Sequence, residues 1–390
     1  MTASSGFWIS GLRIAVIVLA GVCGTNAIAE NARAPMGALA QYSDSLQRAL
    51  TDQDIAWTAE RDSLVAAALN DWLTWMRPTL IEAYEQYMYM RHLMWPVYAE
   101  AGLPEGLLFG ILAKESGGRV HSVSRMGAAG PLQFMGYTAL RLGLRIDEER
   151  DERFDPHSST RANVAYLHER FIEYDGDLAL ALAAYNAGET RVLRLARGFE
   201  NPSFWDPDLL RLLPRETQEY VPYVLAAALL FEEPATYGVE FPAVNALPSI
   251  IELAAPKTLA ELSICIGQGG SRAGWFRTLR NLNPHHEHDT RLPRGYPVQV
   301  PAELAALYRE DCLNGSRTEL ASRLHRASDE RRDLLAVRTY TVRSGDTLST
   351  IVQSQGCPSL RAVADANGIQ SPRYLIRPGQ QLQLLGCRVK

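Results

Sequence analysis

The sequence predicts a mainly α-helical protein that ends in two small α+β modules. Three observations carry this. Apolar residues recur at helical spacing from about residue 30 to residue 233. Four prolines, Pro234, Pro242, Pro248 and Pro256, then interrupt the pattern. Beyond them two similar units follow, each opening and closing on a short strand-like run.

Length and composition set the frame. The 390 residues suffice for two or three domains, and 47% hydrophobic with 21% charged residues is ordinary globular material. A net charge of −5 points away from nucleic-acid partners and from a basic membrane-binding patch. No stretch is long and apolar enough for a mature transmembrane span.

The first element, residues 1–29, reads as a signal peptide. Arg13 precedes the apolar run Ile14 to Val22, and Ala27-Ile28-Ala29 has the small-residue pattern of a cleavage site. Cys23 raises lipidation as the alternative. Val22 before it is larger than the small residue such a site uses, so membrane association is expected only if Cys23 is lipidated.

Residues 30–102 form an N-terminal helical region rich in aromatics, including Trp72, Trp75, Tyr84, Tyr87, Tyr89, Trp95 and Tyr98. Such rings serve either as core or as faces on which sugars stack. Residues 103–235 form a second helical block. A helix from Pro104 to Ser116 leads it, and Gly117 and Gly118 stop that helix. A Gly-rich loop, Gly127 to Pro131, follows. Asp155-Pro156 is expected to break the chain before a helix from Ser159 to Tyr174. Asp177 is placed to cap a buried Leu/Ala helix from Leu178 to Asn186, and a last helix runs from about Glu216 to Phe231.

Residues 236–315 hold a linker and the first tail unit, residues 316–338 a polar helix or linker, and residues 339–387 the second unit. Thr258-Leu259 matches Thr347-Leu348, and Asn283 matches Asn367. Once the leader is removed four cysteines remain, and an even number in an exported chain suggests disulfides. Four cysteines allow three pairings. Each unit carries one cysteine in its middle and one near its end, which favours Cys265 with Cys312 and Cys357 with Cys387. No metal-ligand pattern appears. His285, His286 and His288 cluster without Cys or Asp at ligand spacing, and no cofactor is expected.

Glu115 is the candidate catalytic residue. Leu107, Leu108, Ile111 and Leu112 form an apolar stripe, and Glu115 falls four residues after Ile111 and three after Leu112. A lone acid on an apolar face, at the negative end of a helix, holds its proton more tightly than a free Glu. That suits a general acid near neutral pH. Taken alone, the segment also fits a half-exposed Glu at a helix end.

Four segments in order change that reading: Glu115-Ser116, then Gly130-Pro131-Leu132-Gln133-Phe134-Met135, then Ala184-Tyr185-Asn186-Ala187-Gly188, then Glu216-Thr217-Gln218-Glu219-Tyr220-Val221. This set resembles the family 1 lytic transglycosylases of the goose-lysozyme-like superfamily. The tail run Tyr340-Thr341-Val342-Arg343-Ser344-Gly345-Asp346-Thr347-Leu348, with Ala366-Asn367 and Arg377-Pro378-Gly379-Gln380, resembles a LysM module, a small βααβ fold. The unit at about 250–301 resembles a degenerate copy that lacks the Ser-Gly-Asp step.

The resemblance implies a lysozyme-like helical catalytic domain and cleavage of the β-1,4 bond between N-acetylmuramic acid and N-acetylglucosamine in peptidoglycan, with a 1,6-anhydro sugar as product. Glu115 would be the sole general acid and base. Ser116, Gln133, Met135, Tyr185, Asn186 and Tyr220 would bind or orient substrate. Gly345, Asp346, Thr347 and Asn367 would belong to a glycan-binding LysM site, with Asp346 as cap of its first helix. Peptidoglycan glycan strands are the implied partner and the periplasm the implied location. Pro131 and Leu132 depart from the family pattern and are expected to reshape a subsite. A lysozyme- or chitinase-like hydrolase would need a second carboxylate near Glu115, for which Glu216 and Glu219 are the candidates. A non-catalytic wall-binding scaffold is the reading from outside the enzymes.

Overall fold

The computed structural model describes residues 59–269, 274–313, 316–335, 337–357, 359–370, 373–385 and 387. The predicted leader, Cys23 and residues 30–58 lie outside the described residues.

The first helices are α1 (Ala59–Leu73), α2 (Arg77–Ala101) and α3 (Glu105–Glu115). After a long loop come α4 (Gly136–Arg141), α5 (Pro156–Glu173), α6 (Leu178–Ala187), α7 (Glu189–Ala196), α8 (Pro207–Leu212) and α9 (Arg215–Glu232). Among the described residues this helical part forms one continuous apolar core. Asp155-Pro156 starts α5 instead of breaking the chain. The Asp155 carboxylate accepts from Ser158 N at 2.7 Å, and Pro156 takes the first helical position, where its missing N–H matters least. Asp177 caps α6, accepting from Leu180 N at 2.8 Å.

Helix α3 is the centre of this core. Every residue from Gly106 to Ala113 is buried, so the helix is covered all round instead of along one stripe. Helix α2 covers it on one side and α9 on the other. The α3–α9 crossing is close because both helices present small residues. A Cβ on Gly110 would lie 2.4 Å from the Val224 carbonyl oxygen and 3.3 Å from Ala228 Cβ. Glu232 completes the junction, accepting from Gly106 N at 2.6 Å at the start of α3. Of the N-terminal aromatics, Trp72, Tyr87, Tyr89 and Tyr98 are core, while Trp75 is exposed.

The tail contains two β-α-α-β units. In the first, β1 (Pro248–Glu252) pairs antiparallel with β2 (Pro297–Pro301) around α10 (Leu259–Ile266) and α11 (Gly274–Leu282). Helix α12 (Ala302–Leu307) and a π turn, Tyr308–Cys312, close it. The polar stretch forms α13 (Ser316–Leu335). In the second unit β3 (Val337–Thr341) pairs with β4 (Gln381–Leu385) around α14 (Leu348–Ser354) and α15 (Leu360–Ala366). Cys265 is bonded to Cys312, and Cys357 to Cys387.

The two units repeat in detail. Thr258 and Thr347 are the caps of their first helices, each with a reciprocal capping box. Asn283 and Asn367 each pin the last strand. Asn283 donates to Gln299 O and accepts from Gln299 N, and Asn367 does the same with Gln383. The first unit is not a free appendage. Tyr89 of α2 lies in its core, edge-on to Trp275, and Arg277 reaches Glu82 of α2 at 2.7 Å.

Candidate active site

Glu115 is the last residue of α3, so its carboxyl emerges where the covered helix meets the loop. The crossing with α9 brings Tyr220 against it. The Tyr220 hydroxyl donates to Glu115 Oε1 at 2.6 Å, and Tyr220 is itself 2% exposed. Burial raises the Glu115 carboxyl to about 7, against the Tyr220 hydrogen bond and the Lys114 charge, which favour the carboxylate. Some surface of Glu115 stays open to solvent, although its carboxyl is closely packed.

The candidate second acids do not join this packed centre. Glu219 pairs with Arg215 at 3.0 Å on the exposed face of α9. Glu216 is exposed as well, and its negative charge adds a smaller upward push on Glu115. Lys114 is desolvated, which lowers its own pKa, and its ammonium lies 4.4 Å from the Tyr223 ring centre.

Ser116 is buried, and its hydroxyl is fully engaged by backbone. It donates to Pro131 O at 2.8 Å and accepts from Gly118 N and Arg119 N. It therefore ties the turn after Glu115 to the Gly-rich loop. The loop is held from its other side by Arg153, which donates to Gly127 O at 2.9 Å. Gly130 is required where the two strands of chain meet. Its φ is +91°, and a Cβ there would lie 1.8 Å from Arg153 O.

Gln133 adopts a left-handed conformation, and its Nε2 donates to Ser122 O and Gly130 O. Its amide donors thus shape the loop. Met135 stands exposed just before α4. Leu132 and Pro131 are buried. The Leu132 carbonyl accepts from the Tyr185 hydroxyl at 2.5 Å. Tyr185 lies at the end of α6, edge-on to Tyr166 and Phe134, and feels the Glu115 charge. Asn186 beside it accepts from Thr217 Oγ1 of α9 at 2.7 Å. The ends of α3 and α6, the start of α9 and the 127–135 loop therefore converge.

Sequence reasoning passed over three groups here. Gly106 and Gly110 set the α3–α9 distance against Val224, Ala228 and Glu232; the four-residue spacing of the two glycines was the available signal. Arg153 carries no local motif, and its role on the loop depends on contacts distant in sequence. Asn163 of α5, wholly buried, accepts from the Tyr98 hydroxyl behind Tyr185, and nothing local marks it as a core residue.

In the second tail unit one expectation changes: the cap of the first helix is Thr347 and not Asp346. Asp346 precedes the helix cap by one residue; it accepts from Arg343 N at 2.7 Å and from the Tyr340 hydroxyl, fixing the turn in which Gly345 takes φ +90°. Asn367 holds β4 through Gln383 and also lies on an open groove. The residues around it, Gly368, Gln370, Leu375, Arg377 and Gln380, line an open groove. Among the described residues no His, Cys, Asp or Glu group is arranged to hold a metal ion. His285 instead pairs with Asp155 at 3.2 Å and His286 with the Tyr296 hydroxyl.

Residues 98–206 match the transglycosylase SLT domain, and residues 340–384 match the LysM domain. Over 272 residues the chain is 31% identical to membrane-bound lytic murein transglycosylase D of Escherichia coli K12, covering 68% of this chain and 56% of that protein. The protein of the same name from Escherichia coli O6:H1 gives the same figures. The chain thus spans just over half the length of these relatives. A solved structure of an inactive mutant of the lytic transglycosylase Slt from Pseudomonas aeruginosa shows 25% identity and a TM-score of 0.32, covering 38% of this chain and 24% of that chain.

Proposed function

This chain carries a transglycosylase SLT domain followed by a LysM domain, and from that premise we propose that it is a peptidoglycan lytic transglycosylase with Glu115 as its general acid and base. The observation that carries the reading is the closely packed Glu115 carboxyl, raised to about 7 and held by Tyr220.

The chemistry follows from that carboxyl. The Tyr220 hydroxyl donates to Oε1, so the acidic proton belongs on Oε2. In the first half-reaction that proton moves to the glycosidic oxygen between N-acetylmuramic acid and N-acetylglucosamine. The C1–O bond breaks and its electron pair leaves with the oxygen. The carboxylate so formed is stabilised by Tyr220 and Lys114. It then takes the proton of the muramoyl 6-hydroxyl as that oxygen bonds to C1. Glu115 returns to its starting state, and the product is a 1,6-anhydromuramoyl end. The substrate supplies the nucleophile, so the reaction does not need the second carboxylate of most glycosidases.

The other site residues fit supporting roles. Tyr185 and Asn186, at the negative end of the α6 dipole, stabilise charge developing at C1. Gln133 and Met135 would meet the substrate from the loop side, while Ser116 fixes the turn on which Glu115 depends. The groove beside Asn367 would take the glycan in the LysM domain. The chain acts on exported wall material, so its place is the periplasm. Among the described residues no helix is long and apolar enough to cross a membrane.

The test is digestion of murein sacculi by the mature chain, with products read by mass spectrometry. Anhydromuramoyl ends are expected from wild type and their loss from Glu115→Gln. Reducing ends in their place would identify a hydrolase, and products from Glu115→Gln at the wild-type rate would remove Glu115 from the mechanism.

A further inference from the structure

The turn after Glu115 is held by a residue more than 160 positions away in the chain. Asn281, the penultimate residue of α11, is 2% exposed. Its Nδ2 donates to Gly118 O at 2.8 Å and to Gln86 Oε1 at 3.0 Å, and its Oδ1 accepts from Val120 N at 3.2 Å. Both amide ends of the side chain are thus aimed at the catalytic domain. We propose that the β1–β2 unit is a working part of the catalytic site, and that Asn281 is a positioning residue for the turn that carries Glu115.

The turn needs such a partner. Gly117 and Gly118 take φ of +61° and +76°, and glycine contributes little conformational preference of its own. Gly118 is pressed against α2, where a Cβ would lie 2.7 Å from Gln86 Cβ. Ser116 fixes the turn toward the 127–135 loop; Asn281 fixes it from the opposite side. The Gly118 carbonyl and Val120 N–H face buried surroundings, and without Asn281 both would lose a protein partner, which is costly for buried backbone groups. The unit is seated independently of Asn281, by Arg277 on Glu82, Trp275 against Tyr89 and His285 on Asp155. The α11 face that bears Asn281 is therefore closed to any glycan.

The inference rests on Glu115 as the acid, so it is tested by two readouts, one of them independent of turnover. In the full chain, Asn281→Ala is expected to lower kcat by about ten- to a hundredfold, the scale of a small misplacement of a catalytic group, with KM unchanged. The Glu115 carboxyl, followed by 13C NMR, is hydrogen-bonded by Tyr220 of α9 and feels the charges of Lys114 on its own helix and Glu216 on α9, with Tyr185 of α6 in electrostatic reach. Its titration is expected to fall from about 7 toward that of an ordinary Glu as water enters the loosened turn. Asn281→Ser keeps a small hydroxyl that can donate or accept once in the same place, so both readouts should lie between wild type and Asn281→Ala. It carries the test if the alanine variant does not fold. A folded variant with wild-type kcat and an unmoved Glu115 titration overturns the proposal. A wild type that releases no anhydro sugar overturns the assignment of Glu115 instead, and the titration still decides the role of Asn281.

Discussion

The Tyr220 hydroxyl, donating to Glu115 Oε1 across 2.6 Å, sets against burial the larger of two interactions that favour the charged form of the acid, the other being the Lys114 charge. Removing the hydroxyl leaves desolvation less opposed. Tyr220→Phe should therefore move the Glu115 pKa above about 7 and shift the corresponding limb of the pH–rate profile upward. Turnover at neutral pH should fall by about a hundredfold, the scale of one lost preorganised donor. A pH–rate profile superimposable on that of wild type would show that Tyr220 does not govern the acid.

The same raised pKa makes stability depend on pH. Below 4.5 Glu115 is protonated in folded and unfolded chains alike and contributes nothing. Between 4.5 and about 7 the folded chain binds more protons, so stability falls as pH rises. Above about 7 the charge is confined in the packed site, and a penalty of up to about 3 kcal/mol is fully present. Glu115→Gln should accordingly raise Tm at pH 8 and change it little at pH 4. Equal shifts at both values would mean that the carboxyl is solvated.

Much of this site was legible because its parts are local. Glu115, Tyr185 and Asn186 stand at helix ends that apolar spacing and glycine stops define, and the cap by Asp177 follows from one polar residue before a Leu/Ala run. What escaped depends on distance. Gln86 and Asn281 lie 195 residues apart, and each is a polar residue on an amphipathic helix that reads as solvent-facing. Their burial appears only when α11 docks on α2. Ser116 and Asn367 show the converse. Their motifs mark them as special, yet a motif does not distinguish a side chain that meets ligand from one that fixes backbone.

The α3–α9 crossing gives a mutation whose effect on packing and chemistry should coincide. Gly110→Ala places a methyl 2.4 Å from the Val224 carbonyl, inside any van der Waals contact. The helices must separate, which should destabilise the chain by about 1–3 kcal/mol. The separation also draws Glu115 from Tyr220, so the folded remainder should show reduced kcat. Thermal denaturation alongside turnover checks both; a variant as stable and active as wild type would refute the close crossing.

The two disulfides close loops of similar length but should differ in what their removal does. Residues 265 and 312 are 47 apart, and residues 357 and 387 are 30 apart. On loop entropy alone each bond contributes about 4 kcal/mol to its own small unit. The 357–387 bond serves a core confined to the second unit, from Val342 to Cys387. Its removal, Cys357→Ser with Cys387→Ser, should weaken sacculus binding and leave turnover of short soluble glycan strands unchanged. The 265–312 bond serves the unit whose core includes Tyr89 of α2 and whose helix α11 carries Asn281. Cys265→Ser with Cys312→Ser should therefore lower turnover even on short strands, because the loss reaches Gly118 and the turn beside Glu115. Binding to sacculi and turnover of soluble strands, measured on both double variants, separate the two effects. If both pairs alter binding alone, the first unit is a tether and not a wall of the site.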